Sequence, residues 1–420
     1  MSDRARSATA AAWRAGGGRP DRNSGYTVKV SLAPSFEPIK APGTEEPGAP
    51  LLDPAGPVCV LGWKEGEFAA ALKPSANRLF GPRGVCLHSN GSLWVSDTGH
   101  HRLLGWRDVP TQDNQPADIL IGQPGFENEG RNAKTTPTNF SLNVPTGVAE
   151  WQGGLVVADP WNHRVLVWRT PPTRRNQPAD VILGQDQADG VLANRGADAP
   201  TASTLHWPYG VSSIGDKLVV CDTGNRRVLI WDDLRKTGQA ADLVLGQDSF
   251  TSRDENAGED VSAMSMRWPH AAVLWNGQLA VADAGNNRVM LWSGGLPSVN
   301  GHPCDGLIGQ SDFAACDHNM TNYYPSSKAL NMPYALAVYG DELIVGDTAN
   351  SRLVGWFDAG IAPPASSLTG QRDFASKGDN GWGIARRDSV CWPYGLSARG
   401  GLVAIADSGN NRVLLWNVAS

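Results

Sequence analysis

Apolar and polar positions alternate in short bursts along most of this chain, and the bursts repeat. An apolar run ends in Asp, turn-forming residues follow, and an Arg opens a second apolar run that ends in Trp. The fullest copy is Leu218-Val-Val-Cys-Asp222-Thr-Gly-Asn-Arg-Arg227-Val-Leu-Ile-Trp231. The Asp/Arg/Trp sets are Asp97/Arg102/Trp106, Asp159/Arg164/Trp168, Asp222/Arg227/Trp231, Asp283/Arg288/Trp292, Asp347/Arg352/Trp356 and Asp407/Arg412/Trp416. Successive Asp residues lie 60 to 64 positions apart. A period of that size marks an array of equivalent units, none able to bury its faces alone.

Each unit holds four strand candidates. In the second these are Pro145-Thr-Gly-Val-Ala, Gly154-Leu-Val-Val-Ala-Asp159, His163-Arg-Val-Leu-Val-Trp168 and Ala179-Asp-Val-Ile-Leu-Gly-Gln185. Such runs are short, rich in β-branched residues and bounded by Gly, Pro, Asn or Asp, which is how strands read. Six units of four strands predict an all-β, six-bladed β-propeller with four-stranded antiparallel blades. The fourth run recurs as Ile119-Leu-Ile-Gly-Gln123, Val181-Ile-Leu-Gly-Gln185, Leu243-Val-Leu-Gly-Gln247, Leu307-Ile-Gly-Gln310 and Leu368-Thr-Gly-Gln371. No sixth copy follows Trp416, whereas Val58-Cys-Val-Leu-Gly-Trp63 has that form near the other end. The expectation is an N-terminal strand that completes the C-terminal blade and removes two exposed sheet edges. Residues 51–420 are read as the propeller. Residues 1–50, rich in Gly and Pro, read as a disordered or loosely packed tail, with Tyr26-Thr-Val-Lys-Val-Ser31 as a lone strand candidate.

The residues around each turn carry a resemblance. Pro-x-Gly-Val, an apolar run ending in Asp, then Asn-x-Arg-Val resembles the NHL-repeat family, most closely at Thr98-Gly-His-His-Arg102, Gly285-Asn-Asn-Arg288 and Gly409-Asn-Asn-Arg412. The resemblance spans roughly residues 57–417, and implies a propeller that serves as a protein-interaction platform. The chain departs from the family in its longer period. The extra length lies after each Gly-Gln, in connections of about 20 residues. For proteins of this longer type the resemblance points to an accessory role in a bacterial redox-enzyme system.

Composition changes this picture little. Among 420 residues, 48 Gly and 29 Pro fit many short strands, and six of the 16 Trp close the repeated run. A net charge of −6 argues against a polyanion as main partner, so nucleic acid is not expected. The six Cys show no CxxC or framework spacing, which suits free thiols in a reducing, cytoplasmic setting. No run approaches a membrane span, and the N-terminus lacks the apolar core of a secretory signal.

Candidate chemistry concentrates at one end of the predicted channel. The innermost strand of each unit begins after a recurring Pro, and the next residue is Arg83, Thr146, Tyr209, His270, Tyr334 or Tyr394 in turn. These six are expected to ring the channel mouth and contact a ligand or partner, or else to plug it. The turn between strands two and three and the link into the next blade share that face, so binding is expected there. The Asp/Arg pairs recur identically in every unit, which predicts a structural role at a tight turn. Asp222-Thr-Gly-Asn225 lacks the further acids of a calcium loop. His302-x-Cys304 and Cys316-x-His318 have metal-ligand chemistry, but a strand separates them and no metal site is expected. His100, His101, His163 and His206 read as turn or packing residues.

The reading that follows is a non-enzymatic, monomeric scaffold, without cofactor, that binds a protein or small ligand around the channel mouth. The alternative is a metal-dependent lyase or hydrolase in the central funnel. The family resembles amidating lyases that hold a metal there with several His; the carry-over here reaches only His270 and, loosely, Arg83.

Overall fold

The computed structural model describes residues 47–62 and 73–419. The expected tail up to residue 46, the strand candidate at 26–31 and Trp63 lie outside the described residues.

Six four-stranded antiparallel sheets form the body, and no α-helix occurs among the described residues. Blade 2 is typical. Its strands Val148–Trp151, Gly154–Asp159, Arg164–Trp168 and Val181–Leu183 pair in sequence order from the channel outwards. The innermost strands of successive blades pack on one another around the axis, and that of blade 6, Pro393–Arg399, packs on Gly84–Leu87 of blade 1. In blade 6 the outermost strand is Cys59–Leu61, which pairs antiparallel with Arg412–Asn417 through Cys59–Leu415, Val60–Leu414 and Leu61–Val413. Just before it, Ala49–Pro50 adds a short parallel strand to the edge of blade 5. Residues 49–61 therefore engage two neighbouring blades.

The cores lie between blades, where each sheet's apolar face meets the next. One cluster packs Val156, Val165, Val167 and Leu183 of blade 2 against Leu218, Val220 and Leu229 of blade 3. The closing Trp residues are buried, and each indole N–H donates to a carbonyl of the connection that follows or, for Trp416, to Asp53 O. At the axis the approach is closer. Gly147 N–H donates to Tyr209 O, and a Cβ on Gly147 would meet that carbonyl at 2.7 Å. Only glycine permits the contact.

Each Asp/Arg pair is fully buried and organises more than its turn. In blade 3, Arg227 Nε donates to Asp222 Oδ2 at 2.8 Å, while Asp222 Oδ1 accepts from His206 N–H at 2.7 Å. The remaining guanidinium nitrogens donate to Phe250 O in the link that leaves the blade and to Thr201 O and Thr204 O in the link that enters it. The same bonds recur at Arg102, Arg164, Arg288 and Arg352. A second stitch joins link to turn. Asn194 and Asn225 exchange amide bonds at 2.9 and 2.8 Å, and Gln185 Nε2 donates to His163 O and Leu192 O. The long links are thus held down by polar groups that the turn and the Gly-Gln supply.

Candidate functional site

The face that carries the links and the second-to-third-strand turns is built from unusual backbone. The residue before the recurring Pro is left-handed at Val144, Trp207, Met332 and Trp392, with φ between 52° and 60°, a conformation bulky residues rarely adopt. A neighbouring blade holds each in place. Val144 N–H donates to His101 Nδ1, Trp207 N–H to His163 Nδ1, Met332 N–H to Asn287 Oδ1 and Trp392 N–H to Ser351 Oγ. Blade 3 has Arg226 at that position, which offers no acceptor. Trp268 of blade 4 accordingly keeps φ negative, and its N–H turns to Asp283 Oδ1.

Just past the Pro, a register shift in blades 4, 5 and 6 lies at His270, Tyr334 and Tyr394. A bulge re-aims the extra side chain. Their rings assemble with Tyr209: His270 stacks on Tyr334 at 4.1 Å and 1°, Tyr209 lies 4.2 Å from His270, and Tyr334 lies 4.9 Å from Tyr394. The Arg83 guanidinium covers the Tyr394 ring at 4.7 Å. These five residues line a central cavity of about 520 Å³. Thr146 does not; it is buried, and its hydroxyl donates to Tyr209 O at 2.7 Å. Tyr209 and His270 are also almost wholly buried, whereas Arg83, Tyr334 and Tyr394 keep some exposure. The cavity extends from this aromatic floor to the hairpins between first and second strands, at Gln152, Gly153 and Gly215, where Arg399 and Glu150 pair at 2.9 Å.

Burial sets the ionisation of this cluster. It pushes the phenols of Tyr209 and Tyr334 well above the ordinary range and holds His270 at about 4, so the imidazole is neutral near pH 7. Its Nδ1 lies 2.8 Å from Trp268 O, to which a neutral ring donates. Burial also opposes the Arg83 charge, but Tyr209, Tyr394 and Tyr334 outweigh it and keep its pKa above the ordinary arginine value. Among the described residues His270 is the sole imidazole in the cavity wall, so they do not assemble the ligand set of the amidating lyases there. Among the described residues no three His, Cys, Asp or Glu side chains converge as metal ligands, the His302/Cys304 and Cys316/His318 pairs included.

A surface pattern that the sequence reading did not single out is the distribution of exposed tryptophan. Trp161, Trp207, Trp382 and Trp392 are the exposed Trp among the described residues, and all four lie on the link face. Trp382 is 73% exposed and stands beside Ile384 at 78%. It borders a cavity of about 710 Å³ between the links of blades 5 and 6, whose wall includes Lys377, Arg372, Arg386 and Tyr324. The signal was present in position: strand-closing Trp are buried, while these four stand in turns and links.

The NHL-repeat profile matches residues 81–106, which hold the first three strands and the Asp97/Arg102 turn of blade 1. That turn recurs in the five other blades. The chain is a six-bladed β-propeller that carries an NHL repeat at residues 81–106. No curated protein matches its sequence. Solved structures similar to this NHL propeller include a structural-genomics protein of unknown function from Bacteroides thetaiotaomicron, at 13% identity and a TM-score of 0.48 over 83% of this chain and 74% of that one. A streptogramin B lyase is 10% identical with a TM-score of 0.41, over 82% and 95% of the two chains. The virginiamycin B lyase of Staphylococcus aureus is 11% identical with a TM-score of 0.40, over 82% and 98%. Likeness this distant carries no argument about activity.

Proposed function

We propose that this NHL propeller is a non-enzymatic scaffold that recognises a partner protein on its link face. The observation that carries the reading is the gathering of every exposed Trp of the described residues on that one face. Tryptophan is enriched at protein interfaces and costly to leave in water.

The test compares faces. Tagged protein from its native host is cross-linked and captured as wild type, as W161A/W382A/W392A, and as the hairpin-face control L274A/Y339A, with Leu274 and Tyr339 exposed at the other end of the innermost strands. A specific partner is expected to be retained by wild type and control and lost by the triple variant, while far-ultraviolet circular dichroism is unchanged in all three. Retention by the triple variant, or loss in the control alone, removes the link-face reading.

A further inference from the structure

We propose that the central cavity binds a carboxylate, with Arg83 as the residue that reads its charge. The cavity of about 520 Å³ is of ligand size. Its charged wall residues are Arg83 on the floor and Glu150 and Arg399 at the far rim. Glu150 and Arg399 neutralise each other. Among the described residues no carboxylate acts on Arg83; its neighbours are three tyrosines. Five other blades supply the equivalent position, and none supplies an acid. A largely buried cation without a counter-charge is costly, and an incoming anion offsets that cost.

The floor also offers a second polar group beside the guanidinium. The Tyr209 hydroxyl is buried and has Arg83 as its side-chain partner, so the two polar groups sit together on the floor. A guanidinium stacked on Tyr394 is pre-oriented, and its planar fork matches the two oxygens of a carboxylate. One uncancelled positive charge balances one negative charge. A phosphate dianion would lack a second cation, since His270 is neutral and Arg399 is engaged. Val85, Val148, Val211 and Leu336 in the wall provide apolar surface for the body of the ligand. A free organic acid and the C-terminal carboxylate of another chain present the same group.

This inference goes beyond the link-face reading and is tested apart from it, because no Trp of that face lines the cavity. Isothermal titration calorimetry at pH 7 compares benzoate and hexanoate with benzamide and hexanamide. It also compares acetyl-tetra-alanine bearing a free C-terminus with the amidated peptide. Each acid is expected to bind at least 10-fold more tightly than its amide, and R83Q to weaken the acids at least 10-fold without affecting the amides. Tighter binding by the peptide acid identifies a chain terminus as the source, and tighter binding by benzoate or hexanoate identifies a small molecule. Equal affinity for acid and amide, no heat from any acid, or tighter binding of phenyl phosphate than benzoate would overturn the proposal. The acid-against-amide comparison on wild type and on Y209F decides the matter even if R83Q does not fold. Y209F is expected to weaken acids more than amides.

Discussion

His163 shows how one side chain can serve two neighbouring blades. Its Nδ1 must stay unprotonated to accept from Trp207 N–H. Burial, helped by His206 beside it, lowers its pKa from 6.5 to about 4. As pH falls, the unfolded chain therefore takes the proton first. The stabilisation is complete above pH 6.5 and is lost progressively as pH drops towards 4, as linkage requires. His101 repeats the contact with Val144, and burial, then Arg131, shift it the same way. Asn287 makes the equivalent bond without a titrating group. H163N is thus expected to keep the stitch and flatten part of the fall in Tm between pH 6.5 and 5, measured by calorimetry across that window. An unchanged slope would contradict this account. At Arg227 the stakes are larger, because removal leaves Asp222 charged and buried and frees four accepting oxygens. R227A is expected to cost about 3–5 kcal/mol in denaturant unfolding. The Asp/Arg regularity was legible along the chain and pointed to a structural role. That these arginines also anchor two distant links was not, because the links fold back over the turn and no local spacing encodes that return.

At the scale of elements, the strands were legible and the links were not. Period-two runs with Gly and Pro borders identify Gly154–Asp159 or Arg164–Trp168 directly. The links read only as long polar stretches after Gly-Gln. In the structure they are pinned by an asparagine pair in blades 2 to 6, of which Asn194 and Asn225 are one. N194A leaves the Asn225 amide oxygen without its Asn194 donor, while its nitrogen keeps Asp222 Oδ2, and is expected to cost about 1–3 kcal/mol. A double-mutant cycle with N225A should show coupling of at least about 0.5 kcal/mol. Additive costs would mean that the pair does not act as a unit. The candidate site was half legible for the same reason. The recurring Pro located the six ring positions, but the bulges at His270, Tyr334 and Tyr394, and the turning of Thr146 onto Tyr209 O, depend on contacts between blades.

For the whole molecule, one seam lies where residues 49–61 join blades 5 and 6. Without them the strand Arg412–Asn417 would present an unpaired edge, and Leu414 and Trp416 would lose cover from Val60, Leu51 and Leu52. Deleting residues 47–62 is expected to lower Tm by several degrees and to promote association through that edge, measured by calorimetry and light scattering. A monomeric deletion variant of unchanged Tm would show that the seam bears no load. The six-fold plan was the most legible feature of all, because Asp, Arg and Trp mark every repeat. That the central cavity extends to the hairpin end was not, since the sequence period does not say which end of the channel is closed by side chains.

The pairing of Cys59–Leu61 with Arg412–Asn417 also sets an order of events on the ribosome. The stretch translated early finds its hydrogen-bonding partner only once the final strand has emerged. At roughly 5–20 residues per second, this apolar tripeptide and its flanks wait roughly 20–70 s while five complete blades are made. Throughout that interval it is an unpaired β-segment in the cell, and a chaperone that shields exposed strands has a defined client.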